Sequence, residues 1–120
     1  MNEASVQSQV RLEAAKRGWK VFRNNVGVLL DLKGRPVRFG LCNDSKQVNE
    51  NYKSGDLIGI KQVLITPDMV GTVIGQFVSI ECKHEGWKPS ATDKNEQAQR
   101  NWAQLVRDAG GYATFSTGGL

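Results

Sequence analysis

Apolar residues recur every four positions at Val6, Val10 and Ala14, the spacing that lays one stripe along a helix. This predicts a helix from Glu3 to Arg17, with Asn2 accepting from the first free N–H groups and Gly18 stopping it after Lys16-Arg17. Glu3, Gln7 and Val10 share a flank that suits either a cleft wall or a solvated rim. Alternation then replaces helical spacing: Trp19, Val21 and Arg23 fall on one side of a short strand, Lys20 and Phe22 on the other. Asn24-Asn25-Val26-Gly27 breaks it. Val28 to Leu32 and Val37 to Phe39 flank Lys33-Gly34-Arg35-Pro36 as a hairpin. The polar run from Gly40 to Gly55 is expected to be a loop, long enough to carry function.

Leu57 to Ile65 and Val73 to Lys83 are the two most apolar strand candidates, separated by a turn at Thr66-Pro67-Asp68. In the second of them Phe77, Ser79, Glu81 and Lys83 share one face, and Val78, Ile80 and Cys82 the other. A second helix is expected from Thr92 or Asp93, with Asp93 and Glu96 as a capping pair. Ala98, Trp102, Leu105, Val106 and Ala109 give it helical spacing, and Trp102 is expected in the core. Gly110-Gly111 ends this helix, and Tyr112 to Ser116 forms a last strand that a preceding helix allows to run parallel. The expectation is one α/β domain over residues 1–120, a mixed sheet flanked by two helices.

Composition narrows the function classes. The net charge of +4, from 16 Lys+Arg against 12 Asp+Glu, fits a polyanionic partner without demanding one. Cys42 and Cys82, with the lone His84, make neither a disulfide framework nor a zinc site, and both thiols are expected reduced. No stretch approaches the roughly 18 apolar residues of a membrane helix, and Met1-Asn2-Glu3-Ala4 lacks a secretion signal. An intracellular protein is expected, in a bacterial or phage-infected cytoplasm, with no membrane partner.

The residues with chemistry stand at strand ends. Asp56 follows Ser54-Gly55 and opens the run Leu57-Ile58, while Glu81, Cys82 and Lys83 close the longest strand. Glu81 and Lys83, two apart, lie on one strand face roughly 7 Å from each other. If the two strands are neighbours, Asp56 reaches the same spot. Two carboxylates suit a hard cation, and an ammonium beside them suits a phosphate or its attacking water. Glu-x-Lys alone is equally a surface salt bridge, with Asp56 a turn residue.

The wider pattern adds a resemblance. Gly55-Asp56-Leu57-Ile58-Gly59, Ile80-Glu81-Cys82-Lys83, Gln99-Arg100-Asn101-Trp102 and Ala109-Gly110-Gly111 together resemble the virus-type replication-repair nuclease family (VRR-NUC), within the PD-(D/E)xK nuclease superfamily. Glu3 with Val6-Gln7 and the stretch Phe22 to Gly27 look like that family's N-terminal features. The resemblance implies a restriction-endonuclease-like αβββαβ core that cuts DNA with Mg²⁺ or Mn²⁺. It implies Asp56, Glu81 and the carbonyl of Cys82 as metal ligands, and Lys83 as the catalytic lysine. Gln99 would contact the site or the DNA, and Glu3 would complete the site through water or a second metal. Gly55 stands where the superfamily has proline. Stand-alone members resemble homodimeric four-way-junction resolvases, so a homodimer acting on branched DNA is expected. A catalytically silent DNA-binding or scaffolding module of the same fold is the alternative.

Near such a site, Arg23, Asn25, Arg38 and Lys53 are candidate DNA contacts, and Trp87 is a candidate stacking surface. Glu85 has the parity of an accessory ligand, whereas His84 points to the face opposite Lys83.

Overall fold

A computed structural model describes residues 2–119 and shows a mixed α/β protein with three α-helices and small sheets of both antiparallel and parallel strands. The chain divides into two compact units, residues 1–59 and 60–120. Among the described residues no helix is long and apolar enough to cross a membrane.

In the first unit, α1 (Glu3–Lys16) begins as the sequence predicts, with the Asn2 side chain accepting from the Ser5 N–H at 2.9 Å. Gly18 follows its end at φ +76°, a left-handed conformation that favours glycine. The stripe is less buried than its spacing suggests: Ala14 is buried, but Val6 and Val10 remain exposed. Helical spacing says which residues share a face, not how much of that face is covered. β1 (Lys20–Arg23) pairs with β4 (Leu57–Ile60). A side chain on Gly59 would collide with the backbone of Lys20 and Val21, so glycine permits this close approach.

β2 (Gly27–Leu30) and β3 (Pro36–Phe39) form the expected antiparallel hairpin, in register from Gly27 opposite Phe39 to Leu30 opposite Pro36. Asp31 builds its turn. Its Oδ1 accepts from the Lys33 and Arg35 N–H groups at 2.9 and 2.8 Å, its Oδ2 from Arg35 Nε at 3.0 Å, and Gly34 takes φ +76°. The polar run that follows is not all loop. α2 (Lys46–Asn51) forms within it, capped by Ser45, whose hydroxyl accepts from the Val48 N–H. Ser45 followed by Lys46 and Gln47 was the available signal.

In the second unit β5 (Val78–Cys82) and β6 (Tyr112–Ser116) run parallel, with Glu81 opposite Phe115 and Cys82 opposite Ser116. α3 (Lys94–Asp108) packs on both strands. Ile60, Ala103, Val106, Ala109 and Ala113 make the core, with Phe77 and Phe115 against it. The Asp93 carboxylate caps α3 by accepting from Asn95 and Glu96 N–H. The capping box stays half-made, because the Glu96 carboxylate accepts from the Ser90 N–H and the Asp93 N–H goes to the Ser90 hydroxyl.

Both long strands are shorter than expected. β4 stops at Ile60 and β5 starts at Val78, and the branched residues between them are irregular apart from a short 3₁₀ turn at Pro67–Met69. Among the described residues the strands form three two-stranded sheets, where one continuous mixed sheet was expected. A run of Val, Ile and Leu has strand propensity, but only a hydrogen-bonding neighbour makes it a strand.

Candidate active site

Glu81 and Lys83 stand at the end of β5, and the parallel ladder reaches one residue past it, because the Lys83 N–H donates to the Ser116 carbonyl at 2.8 Å. That bond fixes the lysine's backbone. Strand parity turns Ser79, Glu81 and Lys83 towards α3, where Ser79 meets Trp102 and the other two meet Gln99. Lys83 Nζ donates to Gln99 Oε1 at 2.7 Å, and Gln99 Nε2 donates to Glu81 Oε1 at 2.8 Å. The ammonium itself lies 3.9 Å from that carboxylate oxygen.

One amide therefore bridges two opposite charges, offering its oxygen to the cation and its nitrogen to the anion. A direct ion pair would satisfy the same charges, but it would leave the lysine free to swing. The amide bridge, anchored on a helix, gives Lys83 and Glu81 a set separation. The Lys83 side chain is 17% exposed and that of Glu81 43%. Aromatic rings shield the lysine: Nζ lies 5.7 Å from the Trp87 ring centre and 5.9 Å from that of Phe115, and the two rings stack at 5.4 Å. Trp87, a candidate stacking surface from sequence, has its ring stacked on Phe115 and is part of the wall around Lys83.

Trp102 departs from expectation. It stays partly exposed, its indole N–H donates to Ser79 Oγ at 2.8 Å, and its ring meets Phe77 edge-on at 6.4 Å. His84 is exposed, with Nδ1 2.9 Å from the Glu85 carbonyl oxygen, and Glu85 is exposed beside it. Cys42 and Cys82 are free thiols, as expected.

The remaining candidates stand in the first unit. Asp56 is exposed at the start of β4, and its carbonyl accepts from the Asn24 N–H at 2.9 Å. Its approach is held by a residue sequence reasoning passed over. Asn24 Nδ2 donates to Ser54 Oγ at 2.7 Å and to the Gly55 carbonyl at 2.9 Å, while its Oδ1 accepts from the Leu41 N–H at 3.1 Å. Ser54 Oγ in turn donates to the Leu41 carbonyl at 2.7 Å. These bonds tie the Ser54-Gly55 approach to Asn24 and Leu41.

A second asparagine, Asn43, is 2% exposed and donates to the Gly27 and Phe39 carbonyls at 2.9 and 2.8 Å. Arg38 grips it from the other side, giving Nε to its carbonyl and Nη2 to its Oδ1 at 3.0 and 2.8 Å. Arg38 therefore braces the hairpin base. Lys53 Nζ donates to the carbonyl and the side chain of Asn49, closing the end of α2. Arg23 and Asn25 are exposed, and Glu3 is exposed in the first turn of α1, where a carboxylate suits the helix dipole.

Among the described residues no three His, Cys, Asp or Glu side chains form a ready-made metal cluster. Within the second unit, the Glu81 carboxylate and the Cys82 carbonyl are hard oxygen donors, the type that suits Mg²⁺ or Mn²⁺. Comparison with protein-family models, with curated proteins and with solved structures found no match to this chain.

Proposed function

We propose that this chain is a divalent-metal-dependent DNA endonuclease, built on a restriction-endonuclease-like αβββαβ plan and akin to the virus-type replication-repair nucleases. The observation that carries this is the Glu81–Gln99–Lys83 bridge, in which a carboxylate and an ammonium at one strand end are held at a set separation by a helix residue. A merely solvated Glu-x-Lys pair has no need of a third residue donating to one partner and accepting from the other.

On this reading, which for the ligand set rests on the resemblance, Asp56, Glu81 and the Cys82 carbonyl would be the ligands of Mg²⁺ or Mn²⁺. The described contacts of Glu81 fall on Oε1, which leaves Oε2 to serve the cation. The metal supplies neutralisation of the phosphate and a water that ionises near neutral pH. Lys83 gives its ammonium to a phosphate oxygen as negative charge builds there, or orients the attacking water. Gln99 holds the lysine in place between turnovers, and Glu3, by the resemblance, would contribute through water or a second metal. Arg23, Asn25 and Lys53 meet phosphates, where contacts position DNA without reading its sequence.

One active site cuts one strand, so a homodimer acting on branched DNA follows if both strands of a junction are cut. The hairpin supports this, since Leu29, Leu30 and Val37 stay exposed on it. Purified protein incubated with linear, flapped and four-way-junction DNA, with and without Mg²⁺ or Mn²⁺, tests the whole. Metal-dependent nicking is the expected result. Binding without cleavage in either metal would favour the silent DNA-binding module, and a monomer with no junction preference would remove the resolvase role alone.

A further inference from the structure

Beside the Glu81–Gln99 contact lies a cleft of about 230 Å³ between α3 and the β5–β6 ladder. At about 30 Å³ per water it holds the volume of several waters, enough for one flat ring and too little for a dinucleotide. Small side chains create the space: Ala98 and Ala103 on α3 and Ala113 on β6 line it. Trp102 and Phe115 line it too, and each ring is already fixed, Trp102 by its bond to Ser79 and Phe115 by its stack on Trp87. The Asn95 amide, at the exposed first turn of α3, brings both a donor and an acceptor to the same cleft.

We infer that this cleft takes one unpaired nucleobase of the DNA strand being cut. A base has two apolar faces and an edge of alternating donors and acceptors, which aromatic walls and a primary amide match. Its phosphate is anionic, and Lys83 lies next to the cleft, 5.9 Å from the Phe115 ring. A base seated there stands within one nucleotide of Glu81, which also lines the cleft. The inference rests on the nuclease reading for its ligand class and adds a preference for strands with an unpaired nucleotide at the cut. Junctions, flaps and gaps all provide one; an intact duplex has to unstack one at a cost of a few kcal/mol.

The experiment uses binding in the absence of divalent metal, so that cleavage plays no part. A fluorescent aminopurine is placed in the single strand of a gapped duplex, with a fully paired duplex as reference. The expected result is tighter binding to the gapped DNA by roughly tenfold, the scale of stacking one base on aromatic side chains, with quenching of the aminopurine. Ala98→Leu, at an exposed helix position with good helix propensity, fills the cleft. It should lose both the preference and the quenching while binding paired duplex as the parent does. Gapped DNA bound with unchanged aminopurine fluorescence would overturn the inference and leave the nuclease reading standing, as would an Ala98→Leu protein with its preference intact. Failure to bind any DNA would overturn both.

Discussion

Asp56 and Glu81 are carboxylates at strand ends in different units, and the chain holds them in opposite ways. Glu81 is placed by side chains: its partner Gln99 comes from a helix, and the bond between them involves charge. Asp56 is placed by backbone: Asn24 donates to the Gly55 and Asp56 carbonyls, Ser54 is tied to the Leu41 carbonyl, and the Asp56 carboxylate stands exposed. The first arrangement fixes a functional group and the second fixes a loop. Under the proposed function, Lys83 would gain from a set position, whereas Asp56, as a ligand on a braced loop, would close on a cation as it arrives.

The largest expected effects separate chemistry from folding. Asp56→Ala and Glu81→Ala should each abolish metal-dependent cleavage and leave the thermal midpoint near that of the parent, because Asp56 is exposed and the Glu81 side chain is only half-buried. Mn²⁺ calorimetry should show weaker binding in both. Cleavage at the parent rate in either variant would remove that carboxylate from the site. Next comes Lys83→Ala, which should lower turnover by roughly a hundredfold or more, the scale of losing one charge-stabilising donor, while metal binding persists. Lys83→Arg should not restore the rate, since a guanidinium is larger, planar and differently hydrated, and Gln99 offers it a single acceptor. Single-turnover kinetics on one nicking substrate reads both.

How much of this was legible in the sequence follows from the range of the interactions. Caps and turns act over a few residues, so Asn2, Gly18, the hairpin at Gly34 and the Asp93 cap were all readable. The Glu81–Lys83 parity was readable too, because a strand's period is fixed. The extents of β4 and β5 were not, since they depend on pairing partners that composition does not name. Asn24 and Asn43 looked like ordinary turn residues; only the fold shows that each ties together segments remote in sequence. Trp102 sits at a core-like spacing, yet its indole N–H reaches out to the Ser79 hydroxyl on β5. The helix at Lys46–Asn51 was not legible, because polar composition alone does not separate a short capped helix from a loop.

Asn43 offers a middle-sized effect that falls on the backbone-held side of the comparison. Asn43→Ala takes the donor from the Gly27 and Phe39 carbonyls and removes the Oδ1 acceptor of Arg38 Nη2, leaving the backbone carbonyl that Arg38 Nε uses. The expected destabilisation is about 2 kcal/mol, the scale of losing several part-buried hydrogen bonds together. Hydrogen exchange locates it: amides of residues 27–30 and 37–39 should lose protection, while the Val78–Cys82 ladder keeps its own. Equal loss in both regions would mean that the two ways of holding a carboxylate are not independent.

The smallest effect is a titration in the hairpin turn. Backbone N–H donation from Arg35 above all, with further bonds from the Lys33 N–H and the Arg35 side chain, holds the Asp31 carboxyl below its usual range, against a partial opposing effect of desolvation. The sign follows directly. A carboxyl whose pKa is lower in the folded chain stabilises the turn above its unfolded pKa, and the stabilisation is lost as pH falls through the folded value. The turn should therefore be indifferent to pH near neutrality and loosen only in acid, below the ordinary carboxylate range. Protonation removes the charge that draws in the Arg35 guanidinium, at 3.0 Å, and weakens the two backbone bonds. Following the Asp31 carboxyl carbon by NMR should give a midpoint below that of an unstructured aspartate, with the Gly34 amide shifting in step. In Asp31→Asn the Gly34 shift should no longer follow pH in that window, and cleavage should be unchanged, because this turn braces β2 and β3 and touches neither Asp56 nor the Glu81–Gln99–Lys83 bridge. A carboxyl midpoint at or above the unstructured value would show that the turn is not held by the charge.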